Sequence, residues 1–337
     1  MFDRRFRSGG HAPSSVLAVL AALLFPAACA AAPPTYSPAD AASPLRLVRK
    51  IALPGVRGRI DHLAVDAAGK RLAVAEYGNG TVDVVDLAAG RVIQHIAGLH
   101  EPQGVALTAT ELAVACGDGT VHFYSMADWR QVAVLALGED ADNVRLDARN
   151  GHLVVGYGGG ALAVIDLAGH RVASRTLLPG HPEGFQLRGS AALVNVPGRG
   201  AIVSADIDSG TITATWPTGT HQANFPMALD PQRGLVAVAY RFPAALQLRG
   251  AADGAVRATV PACGDADDLF IDGARLLQVC GAGHVDVVPI ASPQTGPERV
   301  TTAPGARTGL FVPETGTLYV AAPARAGPAA IWALQTR

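Results

Sequence analysis

The sequence predicts an all-β chain closed into a seven-bladed β-propeller of four-stranded blades, and three observations predict it. A short apolar strand recurs at Leu63, Val105, Val144, Phe185, Met227, Leu269 and Leu310, with successive starts 39 to 42 residues apart. That period is the spacing of propeller blades. Glycine-rich turns recur at one place in most units, as Gly78-Asn79-Gly80, Gly117-Asp118-Gly119, Gly158-Gly159-Gly160 and Gly281-Ala282-Gly283. Finally, the last unit runs out of chain after a third strand, Ala330 to Gln335, and Leu45 to Pro54 (LRLVRKIALP) offers the missing fourth.

Each unit repeats one order of elements. The first apolar strand is followed by a second, as in Leu72-Ala73-Val74-Ala75, Leu112-Ala113-Val114-Ala115 and Leu318-Tyr319-Val320-Ala321. The turn residues that follow tolerate the positive φ that tight hairpins need. A third strand alternates or runs apolar (Val82-Asp83-Val84-Val85-Asp86), and a more polar fourth strand suits an outer edge. Pairing the two chain ends in one blade closes the ring and removes open edges, and the entropy of so long a closure grows only logarithmically.

Composition agrees. Hydrophobic residues make up 49% of the chain and charged residues 16%, enough to bury a large core. The 38 glycines and 23 prolines suit many short strands and tight turns. The formal net charge is −1 and no basic run lies beyond the first seven residues, so no nucleic-acid footprint is present.

The first thirty residues read as a signal peptide. Arg4, Arg5 and Arg7 form a positive start, Val16 to Phe25 is unbrokenly apolar, and Ala28-Cys29-Ala30 supplies small residues for cleavage after Ala30. Ten apolar residues make a helix of about 15 Å, half a bilayer core, so no transmembrane span is expected. Cys29 admits a second reading as the lipidated cysteine of a membrane-anchored lipoprotein, although Pro26 stands where such signals carry Leu. Residues 31–44 read as a linker and 45–337 as the propeller. The expected location is periplasmic or secreted, where disulfides persist. Cys263 is placed to reach Cys280 in such a bond, the alternative being two buried thiols, and Cys116 reads as packed.

The second-strand tetrapeptides, with the run Asn79-Gly80-Thr81-Val82-Asp83-Val84-Val85-Asp86-Leu87 and Arg91-Val92-Ile93, resemble the bacterial YVTN-repeat β-propellers, a WD40-like exported family. The resemblance covers residues 45 to 337. It implies a ligand- or partner-binding propeller and specifies no reaction.

Functional residues are expected where the chain enters each first strand, at one mouth of the central channel. Two residues before the apolar starts lie Asp61, Gln103, Asp142, Glu183, Phe225, Asp267 and Thr308, and two further back lie Arg59, Glu101, Asp140, His181, Ala223, Asp265 and Ala306. Positions two apart on an extended chain face the same way. With Asp268 that makes eight carboxylates, whose repulsion must be offset by Arg59, Arg145 and Arg307, by a bound cation, or by separation across a wet channel. The plainer reading of any single acid, such as Asp142 beside Asn143 or Asp267 beside Asp268, is a turn cap.

Two functions follow. In the first, the mouth receives a small polar ligand, a cation or a protein partner through Arg59, Asp61, His62, Glu101, Gln103, Asp142, Asn143, Arg145, His181, Glu183, Asn224, Asp267, Asp268 and Arg307. In the second, it resembles the propeller lactonases. Glu101, Asp142, Asn143 and Glu183 would then hold a divalent cation, Ca²⁺ or Mg²⁺ by their oxygen donors, with His181 or His62 as base. No nucleophile elbow is present, and Gly156 to Gly160 joins two strands rather than opening a phosphate-binding helix.

Overall fold

The computed structural model describes residues 43–337 apart from residue 67, so the leader, Cys29 and nearly all of the linker lie outside the described residues. Seven four-stranded antiparallel sheets form a ring. Blade one comprises Leu63–Val65, Arg71–Glu76, Thr81–Asp86 and Arg91–Ala97. Blades two to six follow in order, and blade seven contains Gly309–Val312, Thr317–Ala322, Ala330–Thr336 and, as its outer strand, Leu45–Ala52. The expected closure is therefore present: Leu45 lies opposite Thr336 and Ala52 opposite Ala330. Among the described residues no helix is long and apolar enough to cross a membrane.

Alternation within each strand sends one set of apolar side chains to each neighbouring blade. Leu72, Val74 and Val85 of blade one pack with Ile331, Ala333 and Tyr319 of blade seven, while Ala73, Ala75 and Val84 pack with Leu112 and Val114 of blade two. The outer strands are largely exposed, as in Arg171–Leu177 of blade three. Cys263 and Cys280 form a disulfide that ties the end of blade five to the second strand of blade six. Cys116 is a buried free thiol, pushed up to about 12 chiefly by burial.

The inner strands depart from the sequence reading in a way that matters for function. Those of blades two, three, five and six begin earlier than their apolar starts, at Pro102, Ala141, Gln222 and Ala266. Each loses register with its neighbour over the added residues, between Pro102 and Val105, Ala141 and Val144, Asn224 and Met227, and Ala266 and Asp268. Gln103, Asp142, Phe225 and Asp267 thus occupy bulged strand rather than loop, and bulges re-aim side chains and increase local twist. The fit is close: a Cβ on Gly104 would lie 1.9 Å from the Asp142 carbonyl oxygen, so only glycine allows these two inner strands to approach.

Candidate functional site in the central funnel

A polar cavity of about 300 Å³ opens where the inner strands converge, and all seven blades contribute to its lining. Neighbouring blades are stitched at this level by hydrogen bonds. Gln103 Nε2 donates to Asp140 Oδ1 (2.9 Å), Arg145 Nε to the Phe185 carbonyl (3.1 Å) and Gln186 Nε2 to the Met227 carbonyl (3.0 Å). The Gly309 amide donates to Asp268 Oδ2 (2.8 Å), and Thr308 Oγ1 donates to the Ile60 carbonyl (3.3 Å). Each such bond contributes about 1 kcal/mol, so the cavity wall belongs to the load the ring carries anyway.

Twelve of the fourteen residues read from the sequence as ligand-binding line this cavity. The other two do not. Glu101 has a left-handed backbone (φ 49°), as does Asp140 (φ 42°), but unlike Asp140 its side chain packs over Gly117. Asn224 is fully buried in the scaffold, where its Nδ2 donates to Asn195 Oδ1 (2.9 Å) and to the Ala201 carbonyl (3.0 Å). Two charged residues join the lining, Asp140 and Arg241. Arg241 escaped the sequence reading because it lies on a second strand, Leu235–Phe242. That strand outlasts Arg71–Glu76 of blade one by two residues, and the extra length carries Arg241 over the mouth.

The six lining carboxylates (Asp61, Asp140, Asp142, Glu183, Asp267, Asp268) face four guanidinium groups (Arg59, Arg145, Arg241, Arg307). Asp267 is held between two of them: Arg241 Nη2 bonds Oδ1, and Arg307 Nε lies 2.8 Å from Oδ2, an ion pair too bent for a hydrogen bond. Arg59 pairs with the buried Asp61 at 2.8 Å, again off-line. Arg241 also stacks on Phe225, its guanidinium carbon 3.9 Å from the ring centre.

Other groups have no such partner. Asp142 Oδ1 is buried with no hydrogen bond, and its other oxygen accepts only a long one (3.3 Å) from Asn143. Burial, then the nearby Asp61 and Glu183, raise Asp142 well above the usual carboxylate range. Burial, then Asp267, push Glu183 up to about 8. Burial also raises Asp61 and Asp268 to about 6 each, with Arg59 and His62 respectively opposing the shift. His62 lies 3.8 Å from Asp142 and 3.7 Å from Asp268, beyond hydrogen-bond reach of both. Burial outweighs these acids and lowers its pKa, so the ring is neutral near pH 7. The expected repulsion among acids is met by the four guanidinium groups and by burial, which favours the neutral form of Asp142 and Glu183.

Of the four residues read as metal candidates, Asp142, Asn143 and Glu183 line the cavity and Glu101 does not. Among the described residues no His, Cys, Asp or Glu trio of the funnel brings its ligand atoms within 4.8 Å of one another.

No protein-family model and no curated protein sequence matches the chain. Solved structures do match. One is hydrazine synthase of Kuenenia stuttgartiensis, which aligns over 80% of this chain and 96% of that one at 16% identity, with a TM-score of 0.71. At that identity the likeness is one of fold. The chain is a seven-bladed β-propeller.

Proposed function

We propose that this chain is an exported binding propeller whose funnel takes a small polar ligand. The unpartnered Asp142 Oδ1, buried in the wall of a polar cavity, carries the reading. A buried polar atom without a partner is costly, and a ligand hydrogen-bond donor supplies what the protein does not. Asp142 and Glu183 bring buried carboxyls to the lining, and Arg241, whose Nε is also buried and unpartnered, brings a donor to it. The chemistry they fit is a small molecule that carries both a hydrogen-bond donor and an oxygen acceptor. The volume of about 300 Å³ is that of a compact ligand site. The leader-like first thirty residues and the resemblance to YVTN-repeat propellers support export.

The lactonase-like alternative is the weaker reading. Its cation would meet Asp142 and Glu183 without Glu101, with four guanidinium groups lining the same cavity. The test is a thermal-shift screen with amino acids, amino sugars and hydroxy acids, run beside an Asp142→Ala/Glu183→Ala variant. A compound that raises the melting temperature of the parent but not of the variant is expected. Equal shifts in both proteins would place binding elsewhere and overturn the funnel reading.

A further inference from the structure

Blade one carries a second cluster of chemistry outside the funnel. Glu76 ends its second strand, Asp83 lies in its third, and His95 lies directly opposite Asp83 in its fourth. Glu76 and Asp83 are 0% and 1% exposed, whereas the His95 side chain is 52% exposed and closes the cluster from solvent. One ligand atom from each of the three lies within 4.8 Å of the others, and His95 Nδ1 is 2.6 Å from Asp83 Oδ1. Thr81 Oγ1 donates to Glu76 Oε2, which fixes the carboxylate and leaves Oε1 buried with no hydrogen-bond donor.

The fold does not require acids here. In blade four the places of Glu76, Thr81 and Asp83 are taken by Val196, Ala201 and Val203, and in blade seven by Ala322, Ala330 and Trp332. Two carboxylates buried together against an apolar blade interface are unfavourable unless a positive charge joins them.

We propose that Glu76, Asp83 and His95 bind one divalent transition-metal ion of the zinc class. Imidazole nitrogen with two carboxylate oxygens is a donor set for zinc rather than for calcium, which takes oxygen alone. Two carboxylates match the ion's charge, and Thr81 acts as the outer group that orients a ligand.

The experiment strips the purified full chain with a chelator and titrates it with zinc chloride alone, reading stoichiometry by elemental analysis after dialysis. One zinc per chain is expected. Affinity should fall at least tenfold in Asp83→Asn and in His95→Ala, and stay unchanged in the funnel variant Asp142→Ala/Glu183→Ala. His95 is exposed, so its replacement leaves the fold intact, and an unchanged melting temperature verifies this. No uptake at micromolar free zinc would leave a proton-sharing carboxylate pair and overturn the proposal. Uptake indifferent to His95→Ala, or calcium bound in preference to zinc, would overturn it equally.

Discussion

Asp83 of blade one and Asp286 of blade six hold the same place in the repeat, each third in its strand and 1% exposed. Their neighbours differ. Asp286 lies opposite Arg299, whose Nε and Nη2 grip both carboxylate oxygens at 2.8 and 3.1 Å. The residue in Glu76's place in that blade is Cys280, locked in the disulfide. Asp83 instead faces His95 and a second carboxylate. One slot carries a permanent cation and a covalent tie, and the other carries an imidazole and a second carboxylate. Equivalent positions in a repeat fold therefore share geometry without sharing the means by which a buried charge is neutralised.

The largest expected effect comes from cutting the tie. Cys263→Ser/Cys280→Ser opens a loop spanning a sequence separation of 17, worth about 3 kcal/mol by loop entropy. Denaturant unfolding should show that loss; an unchanged midpoint would mean that blade six draws its stability from packing alone. Next is Arg299→Ala, which strands Asp286 in the interior, since His284 Nε2 at 3.6 Å is too distant to replace it as a donor. About 2 to 3 kcal/mol is expected, against less than about 1 kcal/mol for metal-free His95→Ala, whose loss a proton shared with Glu76 can cover. Equal losses would erase the distinction between the two slots.

The same contrast recurs in the funnel, where Asp267 is held between two arginines and burial raises Asp142 and Glu183. A carboxyl raised above its unfolded value keeps a proton that the unfolded chain has released, so stability falls as pH rises between the two values. For Asp61 and Asp268 that window runs from about 4 to about 6, and for Glu183 from about 4 to about 8. His62, lowered, opposes this below about 6.5, but one group against four does not reverse the slope. The melting temperature should therefore drop between about pH 5 and pH 8, and Asp142→Asn/Glu183→Gln should flatten the fall. A flat profile in the parent would show that the funnel acids are ionised throughout.

Much of the fold was legible because blade repetition writes itself into spacing: the seven apolar starts and the stray strand at Leu45 needed only counting. The funnel was legible as a ring of positions and less so as directions. Counting in twos assumes extended backbone, which fails at Glu101 and Asp140 with their positive φ and in the bulges that hold Asp142 and Asp267. Arg241 announced itself only as a strand running two residues long. The blade-one cluster was hidden because Glu76, Asp83 and His95 come from three strands, and only the register of one against the next brings them together.

That register has a counterpart in time. Leu45 pairs with Thr336, so this strand waits for a partner made about 290 residues later. Until then, blade seven has no outer strand and the ring stays open between its first and last blades. Such distant pairing is slow, and the waiting chain shows an unpaired edge to whatever surrounds it. A truncation that removes residues 330–336 would thus injure this protein out of proportion to its length, because it takes away the partner of the outer strand of blade seven.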